Sequence, residues 1–229
     1  MPTAISYGGT TSGTTTSDLS ITPPAGSAEG DLLIFTGFSN GGGGSTAIGT
    51  APSGLTELFS SVDTNARSRH IWWKIAGASE PSTYDWSGAS TWTKHYSCSR
   101  FSNVDSSNPV PVFDHVSASS YSLQAPDVTV TVDDSIAMRV LFVSDNTSSS
   151  ADSGLTALVS LSNTSGFDTH LLVGWESTPY DSGDSTGSKG WTSATSEIHV
   201  GVTLLISPSI SGSGGGIQIA RGMHGGMRG

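Results

Sequence analysis

Six histidines (His70, His95, His115, His170, His199 and His224) are the side chains best able to do acid–base or metal chemistry near neutral pH. Their spacing carries no metal pattern. There is no HExxH, and the lone Cys98 excludes both an intrachain disulfide and a cysteine-built zinc site. No Gly-x-Ser-x-Gly elbow, phosphate loop or dinucleotide fingerprint occurs either. His70, His95, His170 and His199 fall at or near the starts of strand-like segments, where a hydrogen-bonded structural histidine is expected. A carboxylate pair for glycoside hydrolysis need not be close in sequence, but Asp63, Asp105, Asp152 and Asp168 stand in turn-like contexts that Asp stabilises locally. The run from Asp181 to Asp184 offers oxygen ligands of the kind Ca²⁺ takes. It lacks the EF-hand spacing and closing Glu, so a plain Asp/Gly turn is expected. Cys98 has no thiolate-stabilising neighbours and reads as a small buried residue. No catalytic residue, metal ligand or cofactor site is assigned.

The aromatic residues are the next candidates. Strand alternation in Ile71-Trp72-Trp73-Lys74-Ile75 sends the two indoles to opposite faces, one into a core and the other outward. Trp73 and Trp175 are expected to be core counterparts. That leaves Trp72, Tyr180 and Trp191 as candidate exposed contacts, able to stack on a sugar or a partner surface.

The elements that position these groups are strands. No long stretch keeps an i, i+3, i+4, i+7 apolar pattern. Short β-branched and aromatic runs bounded by Gly, Pro, Asn, Asp and Ser recur at 31–37, 70–76, 94–104, 127–132, 135–144, 169–176 and 197–207, with weaker ones at 19–22, 55–61 and 155–161. This predicts an all-β fold: an antiparallel jelly-roll or β-sandwich of about 8–10 strands.

The chain also repeats itself with an offset near 100 residues. Asp31-Leu-Leu-Ile-Phe opens one half and Asp134-Ser-Ile-Ala-Met-Arg-Val-Leu-Phe the other; Ser-Gly-Leu-Thr follows at 53–56 and 153–156. A tryptophan-bearing segment comes next, then Tyr84-Asp85 or Tyr180-Asp181, then Trp92-Thr or Trp191-Thr, and a long last strand near His95 or His199. Two pseudo-repeated halves are expected.

Charge excludes some partners. With 19 acidic and 9 basic residues the formal charge is −10. Such a chain lacks the basic face that nucleic-acid binding needs and the polybasic surface that binds an anionic bilayer. No apolar run approaches the roughly 20 residues of a membrane helix, and the first residues lack a signal-peptide pattern. Residues 1–18 are expected to form an extended arm or to pair at a sheet edge, 19–207 the sandwich, and 208–229 a Gly-rich flexible tail. That tail ends in a basic, Met-containing segment with no acid. Ile217, Ile219, Arg221, Met223 and Arg228 are its candidate partner contacts, adding to a neighbour's sheet or groove.

Several segments resemble a known module. They are Thr22-Pro-Pro-Ala-Gly-Ser-Ala-Glu-Gly30-Asp31-Leu-Leu-Ile34, Pro52-Ser-Gly-Leu-Thr-Glu-Leu58, Trp73-Lys74-Ile-Ala and Glu80-Pro-Ser-Thr-Tyr-Asp-Trp-Ser87. The module is common in virion proteins of tailed bacteriophages and in prophage-derived bacterial proteins. Its pattern runs P-x-G-x-x-x-G-D-L-L-I, P-x-G-W-T, W-x-K-x-A, E-P-x-x-Y-x-W-S. Leu55 stands where the module has tryptophan, and the following turn survives as Asn108-Pro-Val110. The likeness spans about residues 19–207 and rests on structural signatures, not catalytic ones. It implies a jelly-roll sandwich on the particle exterior. Chain economy then favours a non-enzymatic capsid cement or decoration protein that binds the major capsid protein and forms a homo-oligomer. A carbohydrate- or receptor-binding tail adhesin is the alternative, and neither implies nucleic acid or membrane.

Overall fold

The computed structural model describes residues 3–41, 48–145, 148–164 and 168–209. The candidate tail contacts Ile217, Ile219, Arg221, Met223 and Arg228 lie outside the described residues. Within them the chain forms β1 (Ser6–Thr15), β2 (Ser20–Ile21), β3 (Leu32–Ser39), β4 (Thr56–Val62), β5 (Ser68–Ile75), β6 (Tyr84–Asp85), β7 (Lys94–Ser102), β8 (Phe113–Ala125), β9 (Ser135–Val143), β10 (Ser149–Ala151), β11 (Thr156–Asn163), β12 (Thr169–Tyr180) and β13 (Lys189–Ile206), with no helix.

Two large antiparallel sheets result, beside a small two-stranded one made by β2 and β6. The first has the order β1-β7-β3-β5-β4; the second has β8-β13-β9-β12-β11, with β10 beside the early part of β13. These are the same five-strand order built twice, once from each half of the chain. The equivalence extends to detail. Thr56 pairs Trp73 and Thr156 pairs Trp175, and one β-bulge sits just after each pair, between Glu57 and Phe59 and between Ala157 and Val159. Gly54 and Gly154 both turn with positive φ, 86° and 83°, which glycine adopts without steric cost. Gly30 (φ 88°) has its counterpart in Asp134 (φ 60°) before the strand that opens each half.

This connectivity is that of a β-sandwich, the coarser form of the jelly-roll or β-sandwich expectation. Apart from β2 and β6, which pair with each other as a separate two-stranded sheet, the strands of each half stay in one large sheet, and the chain passes from the first to the second once, between β7 and β8. The alignment of Trp92 with Trp191 is corrected by the register. Lys94 pairs Ser39 and His199 pairs Val143, so the counterpart of Lys94 is His199, and β13 carries extra residues where its pairing with β8 shifts between Thr192 and Glu197. Residues 6–15, expected as an arm or an edge pairing, form the edge strand β1 on β7. Residues 127–132 make only an isolated bridge, Thr129 with Ser185.

The halves meet through one apolar interface. Leu32, Ile34, Phe38, Phe59, Ile71 and Phe101 from the first sheet face Ile136, Met138, Val140, Phe142, Val173, Val202 and Leu204 from the second. Phe38 meets Phe142 edge-on at 5.4 Å, and Tyr7 stacks on Trp175 at 5.4 Å. Each sheet's outer face is covered as well. Leu19, Ile21, Tyr84, Trp86 and Ile48 seal Phe35, Trp72 and Cys98 on the first. Leu123, Leu155 and Trp191 cover Leu141, Val143 and Leu172 on the second. Continuous burial along β3 and β9 follows from this double covering.

Candidate functional site

The chemistry-bearing side chains gather in three places, two of them closed on themselves. The first is an ionic cluster beneath the outer face of the second sheet. Arg139 Nε donates to Glu176 Oε1 at 2.9 Å, and its Nη2 lies 2.8 Å from the same oxygen. Nη1 donates to Thr203 Oγ1 (2.7 Å) and to the Pro126 carbonyl (2.9 Å), and Nη2 to the Thr186 carbonyl (3.2 Å). Glu176 Oε2 accepts from Lys189 Nζ and, at 2.7 Å, from the Tyr180 hydroxyl. Arg139 has no exposed side-chain area. Its guanidinium is therefore fully bonded where a charge in apolar surroundings would otherwise be very costly. Hydrogen bonding to Glu176 holds the Lys189 ammonium above its usual pKa, and burial followed by Glu176 pushes the Tyr180 phenol up. Register places Arg139 opposite Gly174 and Thr203, where the first sheet has Phe35 opposite Trp72 and Cys98. The same scaffold position carries an aromatic in one half and an ion in the other.

The second place is a set of buried histidines. His95 lies wholly buried between the sheets. Its Nδ1 is 2.9 Å from Thr14 Oγ1 on β1 and its Nε2 is 3.2 Å from Thr169 Oγ1 on β12. Burial, and then the neighbouring His170, lower its pKa to about 4. His70 stacks flat on Trp72, ring centroids 4.9 Å apart, with Nδ1 3.2 Å from Glu57 Oε2; burial outweighs that carboxylate and lowers its pKa. His199 accepts the Gln124 N–H at Nε2 (3.2 Å) and is likewise lowered by burial. Among the described residues no group of three or more His, Cys, Asp or Glu could hold a metal ion. Asp181 and Asp184 bond each other's backbone, Asp184 Oδ2 accepting the Asp181 N–H at 3.0 Å, which is the local geometry of a turn. Cys98 is buried, and burial pushes its thiol pKa up, away from nucleophilic use.

The third place is open. β8 is the edge of the second sheet, and a groove of about 350 Å³ on its flank is lined by Val116, Ala118, Ser120, Gln124, Asp127 and His199, among others. Three of the large apolar side chains that stay exposed belong to β8 and the strand beside it: Phe113 (40%), Tyr121 (61%) and Ile198 (54%).

The candidate aromatics are placed differently from expectation. Trp72 is 3% exposed and Trp191 2%, because segments of the same half fold back over the outer face of each sheet. Strand alternation does send the two indoles to opposite faces, Trp73 onto the central core and Trp72 onto the outer face, but both faces are covered, so neither indole is left exposed. Trp175 joins the central core as the counterpart of Trp73. Tyr180 is half-buried with its hydroxyl engaged by Glu176. Phe113, Tyr121 and Ile198 were missed. Around Phe113 and Tyr121 the strand is mostly Ser, Ala, Asp and His, so no apolar periodicity marks it. Ile198 sits between Glu197 and His199 in the recognised 197–207 strand, where alternation alone does not show which face is open. No family model, curated protein or solved structure matches the chain.

Proposed function

We propose that this chain is a non-enzymatic structural protein of a tailed-bacteriophage virion, a capsid cement or decoration protein that binds the outer face of the major capsid protein and stabilises the head. The observation that carries the reading is how its reactive groups are engaged. Arg139, Glu176, Lys189 and Tyr180 bind one another. So do Arg69 with Asp63 (2.7 Å) and Lys74 with Glu80 (2.9 Å). What faces outward is strand edge, small polar side chains and shallow groove, a surface suited to many weak contacts repeated around a shell. The sequence resemblance points the same way. Sealing both outer faces of the sandwich adds the rigidity a load-bearing exterior module needs.

A tail-associated adhesin is the second reading. It is favoured by the groove along β8, which presents Gln124, Asp127 and Ser188, hydrogen-bonding groups of the sort that hold a sugar, and by the solvent-facing Tyr121 on the same strand. Immunogold labelling of intact virions, with antibody raised against the purified protein, separates the two. Many labels spread over the head support the cement role, label restricted to the tail tip transfers the protein to the adhesin class, and unlabelled virions reject both.

A further inference from the structure

The outermost strands of the two sheets are β1, β4, β8 and β11, with the three-residue β10 flanking only the early part of β13. Three carry a β-bulge in the edge strand itself: at Gly8 in β1, at Leu58 in β4 and at Leu158 in β11. Bulges twist an edge away from further pairing, one of the devices by which folded proteins protect open strands. β8 differs. From Phe113 to Ser120 its ladder with β13 is unbroken, and its whole length, 113–125, holds no Lys, Arg or Pro. It is also the longest of the four edge strands.

The direction of its free hydrogen-bonding groups follows from the ladder. Leu205 N–H donates to the Val112 carbonyl, so even-numbered residues of this stretch bond β13 and odd-numbered ones point their N–H and C=O outward. The His115 N–H agrees, reaching no strand but the Asp114 carboxylate at 2.8 Å. The outward groups of Phe113, Ser117 and Ser119 meet no partner strand among the described residues.

We infer that the free edge of β8 pairs antiparallel with β8 of a second copy of this chain, about a two-fold axis at Ser117, joining two second sheets into one continuous sheet. An isologous antiparallel edge must set outward-pointing residues opposite one another. Centring on Ser117 does so: Ser117 faces Ser117 of the partner subunit, and His115 faces Ser119 of the partner subunit. At either end the exposed Phe113 approaches the partner subunit's Tyr121. The self-complementarity of this register selects a second copy as the occupant, in spite of the charge. A body with a formal charge of −10 repels its own copy over most of its surface. In this register the only carboxylate of β8, Asp114, stands opposite the partner's Ser120, and no acid meets an acid. Small Ser and Ala side chains along 116–120 leave room for the backbones to approach. The inference identifies the surface of self-association and holds whether or not the protein belongs to a virion.

The test is sedimentation of the full chain over a concentration series, with three variants. Because the Ser117 N–H points outward, Ser117→Pro removes a bond to the partner and none to β13, as edge-strand proline permits. It should weaken the dimer roughly tenfold or more. Ser117→Asp and Ser117→Lys each place like charges face to face on the axis and should be monomeric; mixing the two should restore a dimer. A wild-type chain that stays monomeric at all concentrations overturns the inference, as does a dimer that survives all three changes. If circular dichroism finds the proline variant unfolded, the Asp/Lys mixing experiment decides alone, since those side chains leave the backbone ladder intact.

Discussion

Acidification should weaken this fold through His95, by an amount the structure sets. The ring lies between the sheets, bonded to Thr14 and Thr169, with Phe38 opposite it on β3 and His170 the nearby titratable group on β12. No carboxylate is among the groups that set its pKa. Its pKa in the folded chain is about 4, against about 6.5 when unfolded. Between these values the unfolded chain binds the extra proton, so stability falls as pH drops from about 6.5 to about 4 and this contribution is flat outside that window. At about 1.36 kcal/mol for each pH unit of difference, the loss is about 3 kcal/mol, a substantial part of the 5–15 kcal/mol typical of folded domains. His70 and His199, also lowered, act in the same direction; Glu197, raised by burial and then by Asp145, acts in the opposite one. The assay is urea unfolding between pH 4 and 8 for the wild type and His95→Gln, whose amide still reaches a threonine but does not titrate. The variant should lose stability at pH 7.5, yet show a pH dependence shallower by about 3 kcal/mol across the window. A slope equal to that of the wild type would show that protonation of His95 does not oppose folding.

Other outcomes are open to measurement. Glu176→Gln leaves the Arg139 guanidinium buried without its counter-ion and should cost about 3–5 kcal/mol in chemical denaturation, whereas changing the exposed Glu29 should cost little. Trp72→Ala removes a buried indole packed against His70 and Trp86 and should cost about 3–5 kcal/mol, with no effect on any glycan binding. Gly201→Ala should prevent stable folding, read by soluble yield and near-ultraviolet circular dichroism, because a Cβ there would overlap the Gln124 carbonyl oxygen, which is backbone and has little freedom to withdraw. Cys98 should resist a thiol reagent in the native protein and react at the rate of global unfolding; rapid labelling without denaturant would show that the outer cover of the first sheet opens locally.

What the sequence disclosed depended on burial. β3, β5, β9 and β12 were legible because both of their faces are covered, which produces dense runs such as Leu32 to Phe35 and Val140 to Val143. The duplication was legible from the shared order of Ser-Gly-Leu-Thr and the tryptophan strands, and it proved to be one sheet per half. β8 was invisible for the converse reason. Much of Phe113 to Ser120 is solvent-facing on an edge, so Ser and Ala serve there as well as Val or Ile would. β1 was ambiguous, since its Gly, Ser and Thr composition fits an arm as readily as an edge strand. The exposure of Trp72 and Trp191 was misjudged because the covering segments 19–21 and 84–86, or 123 and 155, are distant in sequence from what they cover.

The order of strands also bears on how the chain emerges during synthesis. All five strands of the first sheet lie between residues 6 and 102, so that sheet and its outer cover can close before β8 to β13 have been made. Until the second half arrives, Leu32, Ile34, Phe38, Ile71 and Phe101 form a finished apolar wall with nothing against it. The nascent protein thus passes through a stage in which half of it is ordered yet sticky. Its yield in a cell should therefore depend on translation speed across residues 103–206, and on chaperone capacity, more than the stability of the completed fold alone would suggest.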